Sequence, residues 1–189
     1  HIMKLEPGHF LTYHNHQLHC ERYWDVDSCN EVSKTSHGEE VEHLDHLLHA
    51  SVKARLMSDV PLGVFLSGGL DSSLITAIAK HYKPDLKTFS IHFNEQSFDE
   101  SVFSKYGADY LKTTHHAECF SLETFQRCFE DIFRMMDEPF ADPSFFPTTY
   151  LSQITKRQVT VALGGDGADE LFAGYPTSLA HKLCHMFLC

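Results

Sequence analysis

Val60-Pro61-Leu62-Gly63-Val64-Phe65-Leu66-Ser67-Gly68-Gly69-Leu70-Asp71-Ser72-Ser73-Leu74-Ile75-Thr76-Ala77-Ile78-Ala79-Lys80 decides the fold. Its opening residues form an apolar run of strand length, and its closing residues have helical spacing and good helix formers. The glycines therefore sit on a strand-to-helix turn. Such a turn aims free backbone N–H groups and a helix N-terminus at one place, which makes an anion site. Gly68 and Gly69 allow close approach of the backbone, and Ser67, Ser72 and Ser73 add hydroxyl donors. Asp71 has the wrong sign for a phosphate. A helix N-terminus offers about 0.3–1 kcal/mol per charge, and ~2 kcal/mol when partly buried. That is too little to hold a polyphosphate beside a bare carboxylate. Magnesium takes carboxylate and phosphate oxygens together, so Asp71 reads as a metal-bridging residue.

No Gly-Lys-Ser/Thr follows the glycines, so the loop is not a Walker A loop. Ser67-Gly68-Gly69-Leu70-Asp71-Ser72 resembles the SGGxDS signature of the ATP pyrophosphatase, or PP-loop, families. That resemblance implies cleavage of ATP between its α and β phosphates. The plainer alternative is a tight strand–helix turn with an Asp/Ser cap.

The chain has 189 residues, enough for one substantial core. With 15 basic and 26 acidic residues its net charge is −11, which argues against nucleic acid or an anionic membrane surface as partner. No apolar run approaches the roughly 20 residues that span a bilayer. His1-Ile2-Met3 has neither the basic start nor the apolar core of a signal peptide. Cys20, Cys29, Cys119, Cys128, Cys184 and Cys189 form no C-x-x-C pair. They read as reduced thiols of a cytoplasmic protein.

Residues 5–36 differ from the rest. Leu5 to Tyr13 and Gln17 to Trp24 are expected to pair as two strands around His14-Asn15-His16, and Asp27 to Ser36 reads as a linker. This piece is too short for a core of its own. A helix follows over Glu39 to Met57, with Val41, Leu44, Leu48, Val52 and Leu56 as its apolar stripe. His43, His46 and His49 drift around its other side and read as a solvated face. Beyond the loop helix, strands are expected over Thr88–Phe93 and His115–Phe120, and a helix over Ser101–Leu111. His115 and His116 should point to opposite faces of their strand. Leu122, Phe125, Phe129, Ile132, Phe133 and Met136 form a helical stripe expected to pack in the core. Asp137-Glu138-Pro139-Phe140-Ala141-Asp142-Pro143-Ser144 is an acidic loop that two prolines keep out of helix. A helix over Thr148–Lys156 comes next.

Val159-Thr160-Val161-Ala162-Leu163-Gly164-Gly165-Asp166-Gly167-Ala168-Asp169-Glu170-Leu171-Phe172-Ala173-Gly174-Tyr175 repeats the first pattern of apolar strand, glycine turn and helix start. Asp166, Asp169 and Glu170 would suit a helix N-terminus as caps alone, but three glycines beside them imply close approach to a ligand. Parallel neighbouring strands would bring both glycine turns to one sheet edge, where ligands bind in open α/β folds. Asp71 and Asp169 would then share one Mg²⁺.

Taken with the acidic loop, the two glycine motifs resemble, in order, the C-terminal synthetase domain of glutamine-hydrolysing asparagine synthetases. Pro7-Gly8-His9 and Arg22-Tyr23-Trp24-Asp25 resemble the end of that family's glutaminase domain. The resemblance implies ATP over Ser67, Gly68, Gly69, Asp71, Ser72 and Ser73, with adenine near Leu66 and Ile91. Gly164, Gly165 and Asp166 would lie at the nucleotide or the activated substrate. Asp71, Asp166 and Asp169 are the implied catalytic acids, and Asp71 and Asp169 the implied Mg²⁺ ligands. Asp137, Glu138, Asp142 and Glu170 would lie on the substrate side. The implied reaction joins aspartate and ammonia through β-aspartyl-AMP, with ammonia supplied by a glutaminase domain of a longer parent chain. The family's N-terminal catalytic cysteine is absent, so this chain is expected not to hydrolyse glutamine. It reads as a fragment, with residues 1–36 the tail of a glutaminase domain plus linker and 37–189 the first part of the synthetase domain. Gly164 stands where many relatives have Ser, Ala173 where many have Gly, and His92 where many have a small residue. A tRNA-modifying ATPase, an amidotransferase for another carboxylate and a non-catalytic nucleotide-binding remnant are the alternatives. Homo-oligomerisation stays open. The expected fold is α/β: a doubly wound parallel sheet of the PP-loop type with helices on both faces.

Overall fold

The computed structural model describes residues 3–25, 35–95, 97, 99–138 and 140–188. They fall into two compact units, His1–Glu40 and Val41–Cys189.

In the first unit, β1 (His9–His14) pairs antiparallel with β2 (Gln17–Arg22), His14 opposite Gln17. The turn residues Asn15 and His16 have φ of 48° and 60°, the left-handed pair whose twist suits a two-residue hairpin. All of β2 and nearly all of β1 are exposed, as the small size of this piece predicts. Of the expected linker, residues 27–34 lie outside the described residues. Its last residue, Ser36, opens α1 (His37–Arg55) through a capping box. The Ser36 amide donates to Glu39 Oε2 at 2.8 Å, and the Glu39 amide to Ser36 Oγ at 3.4 Å. These bonds, first that from the Ser36 amide, hold the Glu39 carboxyl below its ordinary range.

The second unit runs β3 (Leu62–Phe65), α2 (Leu70–Tyr82), β4 (Lys87–His92), α3 (Ser101–Leu111), β5 (Thr114–Cys119), α4 (Leu122–Arg134), α5 (Phe145–Lys156), β6 (Val161–Leu163), α6 (Ala168–Phe172) and α7 (Pro176–Leu188). The sheet order is β5-β4-β3-β6, with every neighbour parallel. The chain therefore steps outward from β3 to β4 to β5, then returns to the far side of β3. Right-handed crossovers in opposite directions put α2 and α3 on one face and α4 and α5 on the other. This is the expected α/β, doubly wound parallel sheet. The sequence reading assigns nothing beyond Tyr175. There α7 begins at Pro176, where a missing N–H costs no helical bond.

Alternation along the strands sorts the core. Val64 packs with Val52 of α1, Ile78 and Ala79 of α2, and Leu86. One position along β4, Phe89 is on the opposite face, its ring stacked on His116 at 5.3 Å. His115 faces the α3 side, within hydrogen-bond distance of Thr88 Oγ1 (3.0 Å) and Ser90 Oγ (3.2 Å). Burial pushes its imidazole pKa down. The two histidines do point apart.

Two apolar stripes are less covered than their periodicity suggests. In α1 only Val52 is buried, with Leu48 and Leu56 against the core, while Val41 and Leu44 are exposed. In α4 Ile132 is buried, but Leu122 and Phe133 stand 66% and 58% exposed. Phe125 instead meets Phe146 of α5 edge-on, and Phe129 stacks on the same ring. His43 and His46 are exposed, whereas His49 packs on α2, its Nδ1 3.0 Å from the Tyr82 hydroxyl. Among the described residues no helix is long and apolar enough to cross a membrane.

Gly63 sets the spacing of β3 and β4. A Cβ there would stand 2.6 Å from the Phe89 ring and 3.0 Å from the Lys87 carbonyl. Both neighbours are fixed, one by burial and one by the ladder. Gly63→Ala is therefore expected to destabilise the fold by about 1–3 kcal/mol, read as a lower urea midpoint with unchanged slope. An unchanged midpoint would show that β3 and β4 separate at little cost.

Candidate functional site

Both glycine turns leave the C-terminal edge of the sheet from β3 and β6. These strands are adjacent, with Leu62 opposite Val161 and Val64 opposite Leu163. Strand order reverses between them, so the crevice here is the switch point of the sheet.

The first turn begins with the Leu66 amide donating to the Phe89 carbonyl at 2.9 Å. Ser67 Oγ accepts from the Gly69 amide at 3.2 Å and lies 2.9 Å from Ser72 Oγ. Ser72 Oγ in turn donates to the Gly69 carbonyl at 3.2 Å. This small ring fixes two hydroxyls at the mouth of α2. Gly69 is the N-cap of α2, and no side chain caps the helix. The amides of Leu70, Asp71 and Ser72 therefore have no helical acceptor, which leaves three donors at the turn, the cradle expected to take an anion.

Gly68 has a different task. Its φ is +93°, and a Cβ there would meet the Ser104 amide nitrogen at 2.5 Å and Phe103 at 2.6 Å. It seats the turn against α3. Ser73 also faces α3, its Oγ 4.0 Å from a Cβ built on Gly107. Neither residue lines the cavity.

The second turn meets the first. A Cβ on Gly165 would lie 3.2 Å from the Ser72 nitrogen and 3.3 Å from the Asp71 Cβ. The Asp166 carboxylate folds back over Gly164, with Oδ2 2.5 Å from where a Cβ would stand. Between the turns and β4 is a cavity of about 360 Å³. Leu66, Ser67, Gly69, Asp71, Ser72, Gly164, Gly165 and Asp166 from the two motifs line it, together with Ile91 of β4. Phe89, Phe93 and Leu151 supply an apolar wall. Glu100, Thr148 and Leu151 were not singled out from the sequence. They reach the cavity from the start of α3 and from α5, and no local motif marks them.

The other acids lie elsewhere. Asp169 is directed at Gly174, its Oδ1 occupying the place of a Gly174 Cβ, and it does not line the cavity. Glu170 accepts a hydrogen bond from the Tyr175 hydroxyl at 2.7 Å, which lowers its pKa and raises that of Tyr175. Asp142 accepts from the Ser144 amide at 2.9 Å, and its bonds to Ser144 hold its carboxyl low. Asp137 and Glu138 are exposed, and none of these acids lines the cavity.

Charge decides what this cavity accepts. Asp71, Asp166 and Glu100 line it, and no Lys, Arg or His does so among the described residues. Nor do the described residues contain a cluster of three or more side chains that would cage a metal. One or two carboxylates beside an amide cradle suit Mg²⁺ that arrives on phosphates, since this ion keeps few protein ligands. The residues present fit that arrangement.

Residues 43–187 match the family model for asparagine synthase. A putative asparagine synthetase [glutamine-hydrolyzing] 2 of Methanocaldococcus jannaschii is 44% identical over 141 residues, 74% of this chain and 27% of that protein. The asparagine synthetase [glutamine-hydrolyzing] 1 of Bacillus subtilis is 36% identical over 176 residues, 93% of this chain and 28% of that protein. The chain thus spans under a third of the length of these curated relatives. Among solved structures, an NMN synthetase from Francisella tularensis aligns with a TM-score of 0.47 at 16% identity, over 75% of this chain and 59% of that one.

Ala173 ends α6 in the left-handed region, with φ 54° and ψ 42°. That conformation costs an L-residue about 1–2 kcal/mol, partly offset by the extra unfolded-state freedom that glycine would bring. Ala173→Gly is expected to raise the melting temperature by a few degrees, a gain of about 0.5–1 kcal/mol. A lower melting temperature would show that the Ala173 methyl makes packing contacts worth more than its strain.

Proposed function

The chain belongs to the asparagine synthase family, and on that premise we propose that its second unit is the nucleotide half of an ATP-dependent carbon–nitrogen ligase. The observation that carries the reading is the meeting of two glycine turns over one cavity, with an uncapped helix N-terminus between them. The substrate is aspartate. An oxygen of its β-carboxylate forms a bond to the α-phosphorus of ATP, the bond from that phosphorus to the bridging oxygen breaks, and pyrophosphate leaves with the electron pair. Ammonia then adds to the acyl carbon of β-aspartyl-AMP. It loses a proton, AMP departs, and asparagine remains. In the longer parent chain the ammonia comes from glutamine at a glutaminase domain, to which residues 1–36 contribute the tail and linker.

The chain's residues have positional and electrostatic tasks rather than covalent ones. The amides at the start of α2, with Gly69 and the hydroxyls of Ser67 and Ser72, receive the β and γ phosphates. Leu66 and Ile91 flank the adenine. Gly164 and Gly165 let the α-phosphate approach the backbone, and Asp166 lies where the activated carboxylate forms. Gly68 and Ser73 keep this cradle seated on α3. Asp71 and Asp169 are the residues that would hold magnesium, Asp71 from the cavity wall and Asp169 from its place beside Gly174. Asp137, Glu138, Asp142 and Glu170 serve the substrate side from outside the cavity. Magnesium, when bound with the nucleotide, supplies neutralising charge at the phosphates.

Calorimetry on the 189-residue chain tests the reading. ATP binding is expected to require Mg²⁺ and to weaken by about tenfold or more, ~1.4 kcal/mol or more, in Asp71→Asn. Equal affinity with and without Mg²⁺ in both proteins would remove the metal role of Asp71. Release of ADP rather than AMP by the longer parent would overturn the reaction itself.

A further inference from the structure

Two of the three carboxylates that line the cavity stand at the glycine turns, where Asp71 adjoins Gly165 and Asp166 folds over Gly164. The third, Glu100, comes from the start of α3, whose Phe103 and Ser104 lie against Gly68 of the first turn. It is the N-cap residue of α3, yet its side chain does not cap the helix. Asp99 ties down the helix start instead, accepting from the Ser101 amide at 3.0 Å and the Ser101 hydroxyl at 2.8 Å. These bonds, chiefly that from the hydroxyl, hold the Asp99 carboxyl below its usual range. The Glu100 carboxylate is left with no hydrogen bond or ion pair to any described residue, and it lines the cavity.

The chemistry of the cavity it shares says which part of a ligand it meets. On the β4 side the wall is Phe89, Ile91 and Phe93, with Leu66 beside it. Such a wall takes a flat, weakly polar body and offers a phosphate nothing. A carboxylate facing a bare phosphate is repelled, whereas the N–H and O–H donors of a nucleotide lie on its base and ribose. A carboxylate facing an N–H or O–H makes a short, charge-assisted hydrogen bond. We propose that Glu100 is a specificity-determining residue whose carboxylate accepts a hydrogen bond from the nucleoside part of the nucleotide. The donor is a neutral group, either the exocyclic amine of the base or a ribose hydroxyl. This rests on the ATP-ligase reading above and adds to it the residue that discriminates among nucleotides.

A ratio of affinities isolates this role, because removing one negative charge strengthens every triphosphate alike. Binding of ATP, ITP, 2′-deoxy-ATP and 3′-deoxy-ATP is measured by calorimetry with Mg²⁺ for the full chain, Glu100→Ala and Glu100→Gln. Matching circular dichroism melts check that the variants fold. The native chain is expected to prefer ATP over at least one analogue by about tenfold or more, because a site built around a donor rejects ligands that lack it. Glu100→Ala is expected to bring that ratio close to one. Glu100→Gln, which keeps a carbonyl acceptor without the charge, is expected to retain part of it. Collapse of the ATP-to-ITP ratio alone assigns the base amine, and collapse of a deoxy ratio alone assigns that hydroxyl. Unchanged ratios in both variants would overturn the role of Glu100 and leave the nucleotide site intact. Absence of ATP binding by the native chain would overturn both readings.

Discussion

The backbone of Gly165 lies where a β-carbon would stand 3.2 Å from the Ser72 nitrogen and 3.3 Å from the Asp71 Cβ. That approach depends on β3 and β6 being parallel neighbours in one register, Val64 opposite Leu163. It also depends on glycine at position 165, because any side chain there would push the second turn off the first. The cavity exists because these turns touch at one edge and diverge around the free amides of α2. Residues nearly 100 positions apart in sequence become a single surface by this contact. The rest of the unit, with α2 and α3 on one face and α4 and α5 on the other, holds the two strands in place.

Electrostatics then narrows the ligand. At an effective dielectric constant of ~20, a carboxylate and a phosphate charge ~6 Å apart repel by about 3 kcal/mol. A helix N-terminus returns no more than ~2 kcal/mol. Asp71 and Asp166 beside the amide cradle would therefore defeat a bare polyphosphate. The same two acids favour a polyphosphate that carries a divalent cation. On the function proposed above, this surplus of negative charge would select a metal-loaded nucleotide, which the cradle alone would not do.

Much of this arrangement is legible in the sequence, for a physical reason. Short apolar runs bounded by glycine leave few alternatives to buried parallel strands, and glycine-rich turns at their ends mark where backbone must come close. The strands over 62–65 and 161–163 follow from those signals, whereas those over 87–92 and 114–119 and the hairpin around Asn15-His16 follow from strand-length segments between turns and helical stretches. Amphipathic stripes are read less completely. Periodicity identifies the face of α1 or α4 that can be buried, but not how much neighbouring chain covers it. Val41, Leu44, Leu122 and Phe133 carry the right spacing and stay exposed. The side chains Glu100, Thr148 and Leu151 were not legible at all. They belong to the cavity by tertiary placement, and no local pattern distinguishes Glu100 from the adjacent capping Asp99.

The first motif itself combines two separate demands. Successive helical residues point about 100° apart, so Ser72 and Ser73 cannot both face one ligand. Ser72 turns to the cavity and Ser67, while Ser73 turns to α3 beside Gly107. Gly68 and Gly69 divide in the same way. Gly69 lines the cavity, and Gly68 uses its positive φ to bring the turn against Phe103 and Ser104. A motif that reads as one list of ligand contacts is thus half cradle and half anchor. The anchor carries its own constraint: a side chain at Gly68 would meet the Ser104 amide and Phe103, so that face of the turn is committed to α3 and only the other is left for the cavity.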